Sequence, residues 1–425
     1  MSVWVVIVLL GILALAGAPL FAIIGAIGVI AFTSGGTDTS AMIAELYRLV
    51  DLPALIAIPL FTFAGFLLAE SKAPRRLIRL AESLFGWMPG GLAVVALFST
   101  AIFTAFSGAS GVTIIALGGL IYPALIQQKY PEKFSLGLVT TSGSLGLLFP
   151  PSLPIILYSI IAGVNIDHLF MAGLLPGILL LLILSLYAIR TGIVAKVQRT
   201  PFSWGEVWSA LKEAGWEAPL PVVVVGGIYG GIFTATEAAA VTSAYVLFVE
   251  VFIHREIKVF SDLPRVVRES MILVGAILVM LGSAMGVTSY LIDEQIPMKL
   301  FAFISTYVSS KIVFLIILNF FILVMNMVEI FSAIIIVVPL ILPVALQYGV
   351  DPIHLGIIFL LNLEIGYMTP PLGLNLFLSS IRFNHPLTKV YRSVVPFFIL
   401  LVLTLLLVTY LPHLSLLLVG QTGGQ

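Results

Sequence analysis

The sequence predicts an all-α polytopic membrane protein with an inverted repeat, two re-entrant helical hairpins and two broken helices. Three observations predict it: the composition, the length of the apolar runs, and a pattern that recurs 220 residues further on. Of 425 residues, 60% are hydrophobic and 9% charged, against about 25% charged in a soluble domain. So few charges cannot cover a globular surface of this size, and the lipid bilayer is the solvent for most of the chain. The formal net charge is zero and there is no polybasic tail, which removes the electrostatic footprint of nucleic-acid binding. Cysteine is absent, which excludes disulfides, thiol catalysis and Cys-ligated metal.

Apolar runs able to cross about 30 Å of hydrocarbon, or to enter it as half-spans, lie near 3–32, 53–69, 92–106, 112–127, 134–163, 169–189, 218–233, 236–253, 271–291, 312–325, 331–347, 355–380 and 393–411. The first lacks a basic n-region and is too long for a signal sequence, so it reads as membrane domain. The short alternating strands of a barrel are not visible, and the runs read as helices. Five basic clusters place their loops in the cytoplasm: Lys72, Arg75, Arg76 and Arg79; Lys129 and Lys133; Arg190, Lys196 and Arg199; Arg255, Lys258, Arg265 and Arg268; Arg382, Lys389 and Arg392. The segments 33–52, 164–168, 292–298 and 348–354 carry acids such as Asp38, Asp167, Asp293 and Asp351 and face outward. Residues 71–87 and 201–217 read as amphipathic helices on the membrane surface, with Trp87, Trp204, Trp208 and Trp216 as anchors. All of 1–425 reads as one integral membrane domain.

Between the cytoplasmic clusters at 72–79 and 129–133, the apolar stretch 91–128 is interrupted midway by SGASG (107–111). Each arm, of about 15 residues, spans only about 22 Å, so the pair predicts a re-entrant hairpin with its tip near the membrane middle. The stretch 311–347, interrupted at NMVEIF (326–331), lies between two outward segments and predicts a second hairpin entering from outside. At an offset of 220, Leu120, Ile121, Pro123, Gln127, Gly146, Pro150, Pro151 and Ser159 fall on Leu340, Ile341, Pro343, Gln347, Gly366, Pro370, Pro371 and Ser379. The shared Gly-x-x-x-Pro-Pro and hairpin proline mark one duplicated unit, with repeat one at about 1–190 and repeat two at about 217–411. Hairpins entering from opposite sides make the repeats inverted, the architecture of a transporter whose midplane site opens to either side in turn. Alternating access then predicts that about 91–163 and 311–381 move as a block against the remainder. The same offset sets 1–33 on 221–253, so 3–32 reads as two spans broken at Gly17-Ala18-Pro19, or as one long tilted helix, which reverses the side of the N-terminus.

Four irregular segments converge at the midplane in this scheme: SGASG, SGSLGLLFPP (142–151), NMVEIF and NLEIGYMTPP (362–371). Pro150-Pro151 and Pro370-Pro371 hold two helices open, and the freed carbonyls and nearby hydroxyls suit a hard cation such as Na+. No Lys or Arg lies within 134–189 or 312–381. A carboxylate substrate is therefore expected at helix N-termini, bound cations and the polar side chains of Ser110, Ser152, Asn362, Thr369 and Asn375. Glu329 and Glu364 stand at break points, where a carboxylate is costly, and read either as functional groups or as half-helix caps. Glu237 reads as a cap. The five histidines lie at span ends or in loops without metal spacing or a nearby nucleophile, which argues against an enzyme.

FSGASGVTIIALGGLIYPAL (106–125), GSLGLLFPPSLPIILYSIIAGVNIDHLFMAGLLPG (143–177), GGIFTATEAAAV (230–241) and IGYMTPPLGLNLF (365–377) are similar to the large permease subunit of tripartite ATP-independent periplasmic (TRAP) transporters. The resemblance covers essentially the whole chain and departs from the family's pattern at Ala235, where the family usually has proline. It implies the ion-transporter superfamily fold, an elevator mechanism and Na+ coupling in a bacterial or archaeal cytoplasmic membrane. It also implies a small four-helix membrane subunit and a periplasmic substrate-binding protein that delivers an organic acid. One Na+ would lie between Ser107, Gly108 and Ser110 at the first tip and Ser142, Ser144 and Gly146; another between Asn326 and Glu329 at the second tip and Gly366 and Thr369. A carrier working without a binding protein, and a gated channel, are the rival readings.

Overall fold

The structure, a computed structural model, describes residues 9, 11–13, 18–36, 38–108, 110–199, 201–325, 330–371 and 373–420. The described residues form helices and no strand. Repeat one runs α1 (Leu20–Gly35), α2 (Ser40–Val50), α3 (Ala54–Glu70), α4 (Ala73–Phe85), the hairpin α5 (Gly91–Ser107) and α6 (Ser110–Gln127), the broken helix α7 (Glu132–Ser142) and α8 (Leu153–Ala162), and α9 (Ile166–Val194). The connecting helices α10 (Trp204–Glu213) and α11 (Leu220–Tyr229) lead into repeat two: α12 (Ala235–Ile253), α13 (Asp262–Asp293), α14 (Ile296–Tyr307), α15 (Lys311–Met325), α16 (Ile330–Gln347), α17 (Pro352–Gly366), α18 (Leu374–Phe383) and α19 (Leu387–Tyr410), followed by the short α20 (His413–Leu416). Adding 220 to the bounds of α3 through α9 brings each onto α13 through α19, and α6 lands on α16 residue for residue.

Among the described residues six helices are long and apolar enough to cross a membrane, or eight if two bent pairs each count as one span. One pair is α7 with α8, bent by 43°. The other is α2 with α3, bent by 63°, where repeat two has the single helix α13. The segment 33–52, expected as an outward loop, contains α2. Its eleven residues mix apolar positions with Glu45 and Arg48, too short and polar to show as an apolar run. The segment after 292 likewise opens into α14, the counterpart of α4. The amphipathic helices expected at 71–87 and 201–217 are α4 and α10. Pro19, in extended conformation, starts α1 at the expected break; Gly17 lies outside the described residues.

Two groups of helices are visible in the packing. α3 lies on α12 and α13, and α13 also carries α1 and α2. The second group surrounds α7 and α17: α9 packs on α5, α17 and α19, and α19 on α7 and α17. The groups meet where α3 touches α5 and α8, and where α13 touches α16. Every residue from His354 to Gly366 is buried, the polar Asn362 and Glu364 included, so this helix lies inside protein rather than against lipid. The repeats also interleave: α8 packs on α16 of the opposite hairpin, and α18 packs on α6.

Candidate functional site

At the first hairpin tip α5 stops at Ser107, and Gly108 takes the left-handed conformation (φ 64°) while its amide returns to the Thr104 carbonyl. That backbone suits glycine, and it lets the chain reverse into α6 at Ser110. Thr104 Oγ1 donates to the Gly143 carbonyl at 3.0 Å and lies 2.8 Å from Thr113 Oγ1, so Thr113 donates to Thr104. One threonine thereby ties both hairpin arms to the first break. Gly146 sits so close to α5 that a methyl group there would lie 2.4 Å from both the Ala101 carbonyl oxygen and the Ala105 nitrogen. Leu153, which opens α8, lies over Gly108. The expected residues Ser107, Gly108 and Ser110 are thus brought together with Ser142, Ser144 and Gly146.

Several of these side chains are fully buried with an oxygen that makes no hydrogen bond: Ser107, Ser110, Thr141 and Ser152. An unsatisfied buried polar atom costs about 1–3 kcal/mol, so a cluster of them at one break fits a site built for an oxygen-seeking ligand. Ser144 Oγ donates to Thr141 O at 3.3 Å, and Ser142 Oγ reaches Val139 O only at 3.5 Å. Pro150 and Pro151 are buried and offer no amide hydrogen with which to continue α7. Ser152 precedes α8 without capping it.

The second break has the same plan with different contents. α17 ends at Gly366, Thr369 Oγ1 donates to Ile365 O at 2.8 Å, and the Asn375 backbone amide closes the loop onto Tyr367 O at 3.1 Å. Pro370 and Pro371 are exposed. Asn362 donates to Asn319 Oδ1 at 2.7 Å, and Asn319 donates on to Thr409 Oγ1 at 3.2 Å, so the Asn362 amide is turned toward α15. Asn375 reaches across to repeat one, donating to Thr140 O at 3.1 Å and Ser144 Oγ at 3.4 Å. Asn362 Oδ1, Asn375 Oδ1, Ser379 Oγ and both Glu364 oxygens are buried without a partner. Glu364 stands in the last turn of α17, so the capping reading fails for it. It holds for Glu237, whose carboxylate accepts from the Thr234 amide at 2.8 Å in a capping box. Asn326 and Glu329 lie outside the described residues. Thr104, Thr113 and Asn319 escaped sequence reasoning, although a polar residue inside an apolar hairpin arm was the available signal.

Away from the breaks, Arg76 of α4 is buried among three carboxylates: Glu217 Oε1 at 2.5 Å, Glu256 Oε1 at 2.9 Å and Glu250 Oε1 at 3.2 Å. His254 Nε2 lies 3.0 Å from Glu217 Oε1. Burial disfavours the guanidinium charge, but the carboxylates more than reverse this and hold Arg76 above its ordinary range. The cluster bolts α4 to the end of α12 and to the segment after α10. Arg79 adds surface pairs to Glu213 and Glu206.

The sequence matches the family model described as "Tripartite ATP-independent periplasmic transporter, DctM component" over residues 4–414. It is 36% identical over 404 residues to the C4-dicarboxylate TRAP transporter large permease protein DctM of Pseudomonas aeruginosa, covering 94% of this chain and 93% of that one. It is 31% identical over 376 residues to the sialic acid TRAP transporter large permease protein SiaM of Vibrio cholerae, covering 87% of each. The fold resembles the crystal structure of the Alcanivorax borkumensis YdaH transporter, with a TM-score of 0.61 and 13% identity over 88% of this chain and 87% of that one.

Proposed function

The chain belongs to the TRAP transporter family as a DctM component, and from that premise we propose that it imports a small organic acid in symport with Na+ by an elevator movement. The observation that carries the proposal is the set of buried, unpartnered oxygens of Ser107, Ser110, Ser152, Asn362 and Glu364, on the first hairpin tip and on the two helix breaks that the repeat relates. In this reading Na+ takes lone pairs from the hydroxyls and carbonyls of the first tip and break, and from Gly366 and Thr369 at the second. The positive dipole ends at the starts of α8 and α18 favour the carboxylate, whose charge the bound cations offset. The moving block is the second packing group, α5–α9 with α15–α19, so α9 and α19 travel with the breaks. α1–α3 and α11–α13 stay fixed, and α4 and α14 are the arms. A small four-helix membrane subunit and a periplasmic binding protein that delivers the acid complete the system.

The test is uptake into liposomes by the purified chain, with and without both partner proteins. Labelled C4-dicarboxylate and sialic acid serve as probes, with Na+ or choline outside. Uptake that requires Na+ and both partners supports the proposal. Full-rate uptake in choline, or uptake by the chain alone, overturns the Na+ coupling or the need for a binding protein respectively.

A further inference from the structure

We propose that Asn375 is the coupling residue between the two breaks, carrying the state of the first to the helix that opens the second. The proposal rests on the Na+ reading above. Asn375 belongs to the start of α18 in repeat two, yet its side chain is spent on repeat one, where it is fully buried. Its Nδ2 donates to the Thr140 carbonyl at 3.1 Å and to Ser144 Oγ at 3.4 Å. A carbonyl only accepts, so the amide hydrogens must face Thr140, which fixes the orientation of the side chain and leaves Oδ1 without a partner. Thr140 and Ser144 flank Gly143, the residue Thr104 ties to the first hairpin tip. The backbone amide of Asn375 meanwhile donates to Tyr367 O at 3.1 Å and pins the second break. One residue therefore holds the cation-facing turn of repeat one with its side chain and the loop of repeat two with its backbone.

The link runs in one direction. The residue equivalent to Asn375 in α8 is Ile155, which has no donor, and the residue equivalent to Ser144 is Glu364, whose oxygens have no partner. A cation drawn to the first break takes lone pairs from Ser144 Oγ and neighbouring carbonyls, the same acceptors that hold the Asn375 amide. Its binding thus repositions Asn375, and with it the start of α18 beside Leu374, which is 47% exposed.

The chain contains no cysteine, so Leu374→Cys supplies a clean reporter in the full-length protein in detergent. Maleimide labelling rate and thermal midpoint are measured in Na+ and in choline. In the Leu374→Cys parent Na+ is expected to raise the midpoint and to change the labelling rate. Adding Asn375→Leu is expected to keep the midpoint shift and lose the labelling response, and Asn375→Ala repeats the test with a smaller side chain should the leucine variant misfold. An unchanged labelling response in these variants overturns the coupling and leaves the Na+ reading intact. Loss of both responses makes Asn375 part of the cation site and also overturns it. No Na+ effect of either kind in the parent overturns the Na+ reading and the coupling together.

Discussion

The two helix breaks share Gly and Pro-Pro at equivalent positions, 146 with 366 and 150–151 with 370–371, but they are not equally closed. Around the first, Pro150, Pro151 and Ser152 are buried; around the second, Pro370 and Pro371 are exposed and Thr369 is half-buried. The first is shut from one side by α5, onto which Gly146 is pressed, and from the other by α9, where Gly173 lies against the Leu148 carbonyl. Its hydroxyl at 144 becomes a carboxylate at 364, and the threonine at 104 that ties tip to break becomes Val324, 47% exposed. The equivalent helices α4 and α14 differ in the same sense. α4 is held by the buried Arg76 cluster, whereas on α14 Lys299 pairs, among the described residues, with the neighbouring Glu294, at 3.8 Å and in the open. Duplication has kept the residues that break the helices and let the residues that close them diverge. Opening and closing are therefore encoded separately, and each can be changed without the other.

The largest expected effect lies on α4. Arg76→Met leaves the buried carboxylates of Glu217 and Glu250 without their guanidinium partner and should cost about 3–5 kcal/mol, read as a lower thermal midpoint in detergent. Lys299→Met on α14 should leave the midpoint unchanged, because an exposed pair is worth little. Equal losses would erase the distinction between α4 and α14. Gly146→Ala comes next. Its methyl group meets backbone atoms of α5, which cannot rotate away as a side chain can, so the turn must lift off at about 1–3 kcal/mol. Lifting it should expose the first break: Ser152→Cys, inert to maleimide in the parent, should react when Gly146→Ala is added. Thr369→Cys in the second break should react at once in either background. A Ser152→Cys that labels as fast as Thr369→Cys without the glycine change would mean that the two breaks are equally open.

Much of this was legible because the signals are local. Gly146, the two Pro-Pro pairs and the hairpin prolines act on their own backbone, so their spacing placed α6 on α16 without any knowledge of packing. Glu237 was legible for the same reason, since a capping box closes within four residues. What sequence could not supply is which face of an apolar helix meets which neighbour. α9 and α19 are hydrophobic around much of their circumference, and hydropathy gave no ground for joining them to the breaks. The Asn375 side chain could be singled out as polar, but its partner Thr140 lies 235 residues away. Glu364 could be singled out as costly, yet only the structure shows that it stands at the wrong end of α17 to act as a cap.

The finest comparison is Thr104 against Val324, because a single exchange makes each hairpin resemble the other. Thr104→Val keeps the shape of the side chain and removes the hydroxyl that joins Thr113 to the Gly143 carbonyl. The expected stability loss is about 1 kcal/mol, the net worth of one intramolecular hydrogen bond, the smallest of these effects. Its consequence for transport is expected to be larger than its consequence for stability. The hydroxyl holds the Gly143 carbonyl at the tip, so its loss should raise the Na+ concentration needed for half-maximal uptake in liposomes. Val324→Thr adds a hydroxyl at a position 47% exposed in α15, where nothing requires its bond, and should alter neither measurement. If Thr104→Val lowers stability and leaves the Na+ dependence untouched, Thr104 only packs the hairpin. The closure of the first break would then rest on Gly146 and α9 alone.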